Sequence, residues 1–248
     1  MQVLKVVAEG LTTSFRYPHF IQGVQPTYEM PPPATLYGHI CSALGEWFDP
    51  AGVEFAVHFT YAARFSEVEH THILRPSTGR LAGTKIPKVL EGEVNPFVRQ
   101  VLFRPRLVLY LNRPQWAGAF RSPRYPVVLG RSQDLFFYRS VEIVTLERAE
   151  NAYLEHTLVP YDFVRYTARG VVVLMPRFLE YEKNRFPAFC RYVVLHRRVH
   201  ARDFVRYEKE PAPLFWVDPA SPEIDGDRLG LIFHRWVGDY EGSSLSVS

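Results

Sequence analysis

The chain has 248 residues, 47% of them apolar and 15% aromatic, which excludes disorder and allows one large domain or two small ones. Twenty Pro and 15 Gly spread along its length exclude an all-helical bundle, and no apolar run reaches the roughly 18 residues of a membrane-spanning helix. The net charge of +3 conceals 24 Arg against 5 Lys, with a net +9 in residues 71–140, −4 in 1–70 and −2 in 141–248. Arg is the side chain suited to bidentate and stacking contacts with phosphate and base, so 71–140 has the footprint of a nucleic-acid-facing surface. A GC-rich genome would also enrich Arg.

Residues 3–8 (VLKVVA) alternate as a strand. They carry Lys5 and follow none of the pattern of a secretory signal, so a cytoplasmic protein is expected. A polar loop over 12–33 ends in the triplet Pro31-Pro32-Pro33. Thr35 then suits a helix N-cap, with Leu36, Ile40, Leu44 and Trp47 at helical spacing until Asp49-Pro50. Phe55, Val57, Phe59 and Tyr61 mark a second strand over 54–65. Residues 66–99 are polar and hold Gly79, Gly83 and Gly92, so they form an insertion, an extended hairpin or arm, centred on 71–99. A third strand is expected over 101–111, interrupted at its start by Arg104 and Arg106, and a fourth over 140–147. Pro114, Pro123 and Pro126 forbid a regular helix across most of 113–135.

The order is β–α–β–insertion–β–short helix–β, which predicts an α+β fold: a ferredoxin-like βαββαβ palm over 1–147 with a protruding arm. A smaller β-rich region would follow over 148–248, with strands near 170–175, 189–199 and 229–237 and a Pro/Asp-rich connection at 207–228. Cys41 and Cys190 make no metal or redox motif and fit as small core residues.

Four short segments then stand in a telling order. Ser14-Phe15-Arg16 precedes the run from Tyr28 to Gly38 (YEMPPPATLYG), Ala43-Leu44-Gly45 lies in the helix, and residues 129–134 read LGRSQD. Together they resemble the fifth Cas protein family of type I CRISPR systems, most closely subtype I-B, over about 1–48 and 100–147. The resemblance implies a repeat-associated RNA-binding subunit of the Cascade surveillance complex. It would cap the 5′ handle of the guide RNA and join backbone subunits to the large subunit. It would meet target DNA only through that complex, and it implies no cofactor, metal or membrane.

On this resemblance Arg16 and Tyr28 would clamp and stack a handle nucleotide. The Pro-rich loop and Thr35 and Tyr37 would present the helix N-terminus to phosphate, with Gly38 allowing close approach. Arg75, Lys85 and Lys88 would act from the arm, Arg104 from the third strand, and Arg131 and Ser132 from the 129–134 turn. The structural alternatives are that Arg131 pairs with Asp134 and that Tyr28 is core.

A related subtype uses this family as a metal-independent endoribonuclease for precursor guide RNA. Tyr37, His39, His70, His72, Lys85 and Lys88 are acid, base or cation candidates by type only. No Gly-rich phosphate loop or nucleophile elbow is present, and the third strand carries Arg104-Pro105-Arg106 in place of an aromatic RNA-recognition signature. A non-catalytic RNA-binding subunit is therefore the expectation, and an endoribonuclease the alternative. A protein–protein scaffold with genome-driven Arg content is the third class.

Overall fold

A computed structural model describes residues 1–20, 23–205 and 213–238. In chain order the principal elements are β1 (Gln2–Gly10), α1 (Pro33–Leu44), β2 (Glu54–Thr60), β3 (Ala63–Pro76) and β4 (Leu90–Phe103). Then come β5 (Arg106–Leu111), the five-residue α2 (Ala117–Arg121), β6 (Phe136–Thr145), β7 (Thr157–Pro160), β8 (Val171–Glu180) and β9 (Phe186–Leu195). The chain is thus α+β, dominated by antiparallel sheet.

The main sheet runs β8-β9-β7-β2-β5-β1-β6, with His234–Arg235 also paired to β2. Every neighbouring pair is antiparallel. Among the four strands of this sheet that precede residue 147 (β1, β2, β5 and β6), the order across the sheet is fourth, first, third, second. The strands after residue 147 extend this same sheet on the β2 side.

Alternation along the central strands dictates two apolar faces. Leu4, Val6 and Ala8 of β1 join Phe55, Val57 and Phe59 of β2 on one face, where Leu36 and Ile40 of α1 and the fully buried Trp236 pack. Val3, Val7, Ala56, Val108 and Tyr110 form the opposite face, covered by Leu146, Tyr153, Leu229 and Leu231. A polar latch holds that cover in place. Lys5 Nζ reaches Asp218 Oδ2 at 2.5 Å, and the Tyr110 hydroxyl donates to the same oxygen at 3.0 Å. The central strands are buried on both faces, so no open sheet platform faces solvent there. A third cluster, including Leu154, Phe163, Phe204 and Phe215, belongs wholly to the chain after residue 150.

The insertion is a long hairpin. β3 and β4 keep register from Ala63↔Phe103 to Pro76↔Leu90, a ladder of roughly 45 Å at the usual rise. From 70 to 96 every residue except Ser77 and Lys88 is exposed. The hairpin starts at Ala63, earlier than its polar composition suggests, because the second strand ends at Thr60 and the chain turns directly into β3. At its base, Thr12–Thr13 and Val24–Gln25 pair with β4, tying the hairpin to the first loop.

Two further expectations change. The third strand is two strands, broken at Arg104, whose φ is +50°. Pro105 lacks an N–H and disfavours helical backbone before it, and the kink lets the chain pass from hairpin to main sheet. The helix begins at Pro33 with Pro32 as its cap residue, not at Thr35, and no side chain caps it. It ends where Gly45, at φ +84°, donates its N–H to the Cys41 carbonyl at 2.8 Å. Trp47 therefore lies beyond the helix and is 63% exposed.

Candidate nucleic-acid interface

The 129–134 turn is built by its aspartate. Asp134 is buried, and its carboxylate accepts from the Ser14 N–H at 3.2 Å and the Arg131 N–H at 2.9 Å. The Arg131 guanidinium donates to the same carboxylate through Nε at 2.9 Å and Nη2 at 2.8 Å. Gly130 sits at φ +104°, and a Cβ there would lie 2.5 Å from Thr13 Oγ1 and 2.9 Å from the Ser14 carbonyl oxygen. A glycine is obligatory at that point.

Arg131 also spans to the hairpin. Its Nη1 donates to Glu67 at 2.7 Å and to Glu69, while Arg99 Nε lies 2.8 Å from Glu69. Burial opposes the charge on Arg131, but the three carboxylates outweigh it and raise its pKa. Burial likewise pushes the Glu69 carboxyl up, and Arg99 and Arg131 reverse this, leaving it below the usual carboxylate range. Arg131 is only 14% exposed, so its guanidinium is committed to pinning the hairpin base and is not open to an RNA phosphate. Ser132, beside it, is exposed.

Tyr28 and Tyr37 are core residues. Tyr28 is fully buried, its ring stacks on Tyr17 at 3.6 Å, and its hydroxyl donates to the Leu174 carbonyl at 2.6 Å. Tyr37 is 3% exposed and donates to the Phe48 carbonyl at 2.6 Å. Neither ring is open to a nucleobase. Thr35 is half-buried inside the first helical turn, its N–H bonded to the Pro32 carbonyl. Pro31, Pro32 and Pro33 are buried and Trp236 Nε1 donates to the Pro33 carbonyl, so the helix start is covered and is not presented to a phosphate. Gly38 faces open space, with nothing near enough to require a glycine. His39 is buried between the Val128 carbonyl and the Tyr138 hydroxyl.

Exposed cations remain elsewhere. Arg16 and Arg104 are exposed and, among the described residues, in no ion pair; Arg104 lies 5.5 Å from the Phe103 ring. On the hairpin Lys85 is exposed and unpaired by the same measure, Lys88 meets Glu91 at 3.1 Å, and Arg75 meets Glu93 at 3.9 Å. His70 and His72 lie 6.4 Å apart, ring to ring, on β3. Among the described residues no group of three or more His, Cys, Asp or Glu could hold a metal, and no helix is long and apolar enough to cross a membrane.

The sequence segregation of charge is partly undone in space. From the acidic first segment Glu9 pairs with Arg106 of the basic one, Glu69 with Arg99, and both Glu67 and Glu69 with Arg131. Part of the +9 is therefore neutralised by these three carboxylates, and the open cations, Arg104 and Lys85 among them, carry the rest.

Sequence reasoning missed a cleft of about 470 Å³ between the first loop, the hairpin base and the β8–β9 pair. Tyr17, Phe20, Val171, Val173 and Met175 give it apolar walls, and Glu29, Arg64 and His196 a polar one. Glu29 accepts from the Tyr61 hydroxyl at 2.7 Å and from Arg64, and His196 Nε2 lies 3.3 Å away. Burial and the Glu29 carboxylate push the Tyr61 hydroxyl up to about 12, while burial lowers His196 against the pull of Glu29. Only Glu29, in the motif beginning at Tyr28, carried a signal in the sequence.

No family model matches the chain, and no curated protein matches it. Among solved structures, a chain of a CRISPR RNA-guided surveillance complex aligns over 84% of this chain and 95% of its own length, at 17% identity and a TM-score of 0.46. A CRISPR protein from Archaeoglobus fulgidus aligns over 95% of this chain and all of its own, at 10% identity and a TM-score of 0.45.

Proposed function

We propose that this chain is a non-catalytic RNA-binding subunit of a type I CRISPR Cascade complex, with a ferredoxin-like palm and a hairpin arm. It holds the 5′ handle of the guide RNA and links backbone subunits to the large subunit in the cytoplasm. The observation that carries this is the fourth–first–third–second strand order, with the hairpin inserted between second and third strands, in a chain bearing the Tyr28–Gly38 and Leu129–Asp134 motifs in that order. The division at about residue 147 is functional in this proposal: the palm meets the handle, and the remaining chain closes its second face.

Both faces of the central strands are covered, so RNA is gripped by edges and loops. The open cations Arg16 and Arg104, at the hairpin base, and Lys85, near its tip, are the phosphate contacts of this proposal. Tyr37 and His39, two candidates for cleavage chemistry, have buried structural partners, which favours binding over catalysis.

The test is affinity of the full chain for single-stranded RNA carrying a repeat-derived 5′ segment, titrated with salt. Phosphate binding predicts a linear fall of log affinity against log salt, losing slope in Arg16→Gln/Arg104→Gln. Affinity independent of salt would leave only the scaffold class standing. Cutting of the RNA in chelator would replace this proposal with the endoribonuclease.

A further inference from the structure

Two clefts join on one face of the β8–β9 pair. The first is the aromatic and apolar cleft described above. The second, of about 510 Å³, is lined by Arg169, Gly170 and Arg197 and shares Val171, Val194 and His196 with the first. Val171 and Val173 alternate onto the same sheet face, so the two clefts share a continuous β-branched floor.

Arg169 and Arg197 differ from most arginines of the hairpin base. Both are exposed, and neither meets a carboxylate among the described residues, whereas Arg99 and Arg131 are held in ion pairs. Two open guanidiniums lining one cleft favour an anion with oxygens for both. The adjoining cleft favours a flat ring. Phe20 is 47% exposed and packs edge-on to Tyr17 at 6.0 Å, and Tyr17 is backed by the buried Tyr28. Gln100 accepts the Thr27 N–H through Oε1, which leaves its amide NH₂ as a donor at the cleft wall.

We infer that the joined clefts hold one unstacked nucleotide of single-stranded RNA, its base against Tyr17, Phe20 and Val171 and its phosphate on Arg169 and Arg197. An apolar, aromatic-walled slot beside paired cations is the arrangement by which proteins take bases out of a stack. An acidic peptide would satisfy the arginines and leave the aromatic slot without a matching planar group. The inference rests on the RNA-binding proposal and adds to it a contact made by the chain after residue 147.

The experiment uses the full chain and a short fluorescein-labelled single-stranded RNA, followed by anisotropy across a salt series. Arg169→Gln/Arg197→Gln should weaken binding about tenfold and lower the salt slope by about 0.7, the loss of one phosphate contact. Val171→Trp, which fills both clefts from an exposed position, should weaken binding without changing the slope. If it fails to fold by thermal melting, the surface arginine pair decides alone. Photo-crosslinking from 4-thiouridine RNA should label Tyr17 or Phe20. Wild-type chain that fails to bind RNA overturns the RNA-binding proposal itself. Wild-type binding with unchanged affinity and slope in the double variant overturns only the nucleotide assignment, as does displacement of RNA by an equal concentration of polyglutamate.

Discussion

Replacing Asp134 with alanine should be among the most damaging single changes in the chain. Its side chain is fully buried and accepts from two backbone N–H groups, the Arg131 guanidinium and the Thr12 hydroxyl at 3.2 Å. Asp134→Ala leaves two backbone N–H groups and the Thr12 hydroxyl facing a void, while Arg131, only 14% exposed, keeps Glu67 and Glu69 but loses its Nε and Nη2 acceptors. Leaving two buried backbone donors unsatisfied, at about 1–3 kcal/mol each, puts the cost at about 3–5 kcal/mol. For a chain of this size that corresponds to a fall in melting temperature of about 10 °C. Because Arg131 also holds Glu67 and Glu69, the hairpin base should loosen, and amide hydrogen exchange over 97–103 should quicken. Urea denaturation and hydrogen exchange read these two effects. Lys88→Ala, which breaks an exposed pair, is the control and should cost nothing measurable. A loss below about 1 kcal/mol in Asp134→Ala would refute the network's structural role.

Other outcomes follow from the same side chains. Burial lowers His58 and His234 to about 4, so between pH 6.5 and 4 the unfolded chain binds protons that the folded one does not. Stability should therefore fall as pH drops through that window, at up to about 2.7 kcal/mol per pH unit for two sites, measured by urea unfolding at stepped pH. Glu69, held below its usual range, should contribute stability above about pH 4.5 that is lost on further acidification, and Glu69→Gln should flatten that acid limb. Tyr28→Phe should cost about 1 kcal/mol for the lost bond to Leu174 and leave RNA affinity unchanged; a selective loss of RNA binding would restore a contact role to that ring. Gly130→Ala should lower the melting temperature, because both its φ and the Thr13 and Ser14 atoms oppose a Cβ.

Local pattern made the α+β, strand-dominated character of the chain legible. The alternation of Val3 to Ala8, the apolar run of β2 and the polar, glycine-bearing insertion each follow from side-chain period and turn residues. Arg104 and Pro105 were visible too, but their effect depends on the hairpin leaving the main sheet, which periodicity does not encode. The strands near 229–237 resolve into two-residue pieces, Gly230–Leu231 and His234–Arg235, too short to carry a period. Part of the expected 207–228 connection, residues 207–212, lies outside the described residues.

The site was less legible than the fold, for a physical reason. Whether a cation is open depends on carboxylates distant in sequence. Asp134, three positions from Arg131, is legible as its partner in the sequence, but Glu67 and Glu69 lie more than sixty positions away. Tyr28 and Tyr37 sit in a polar, proline-rich context that reads as surface, and Trp236 and β8 cover that context only in three dimensions. Arg169 and Arg197 lie on separate stretches with no shared motif, and only the register of β8 against β9 brings them to one cleft.

The most direct measurement of the central claim is the RNA that the protein carries in its own cells. Tagged full-length chain should be crosslinked, purified and its RNA sequenced. The account predicts RNAs sharing one constant 5′ segment derived from a repeat, with crosslinks concentrated on that segment. Recovery of no RNA, or of RNAs with no common 5′ sequence, would contradict it.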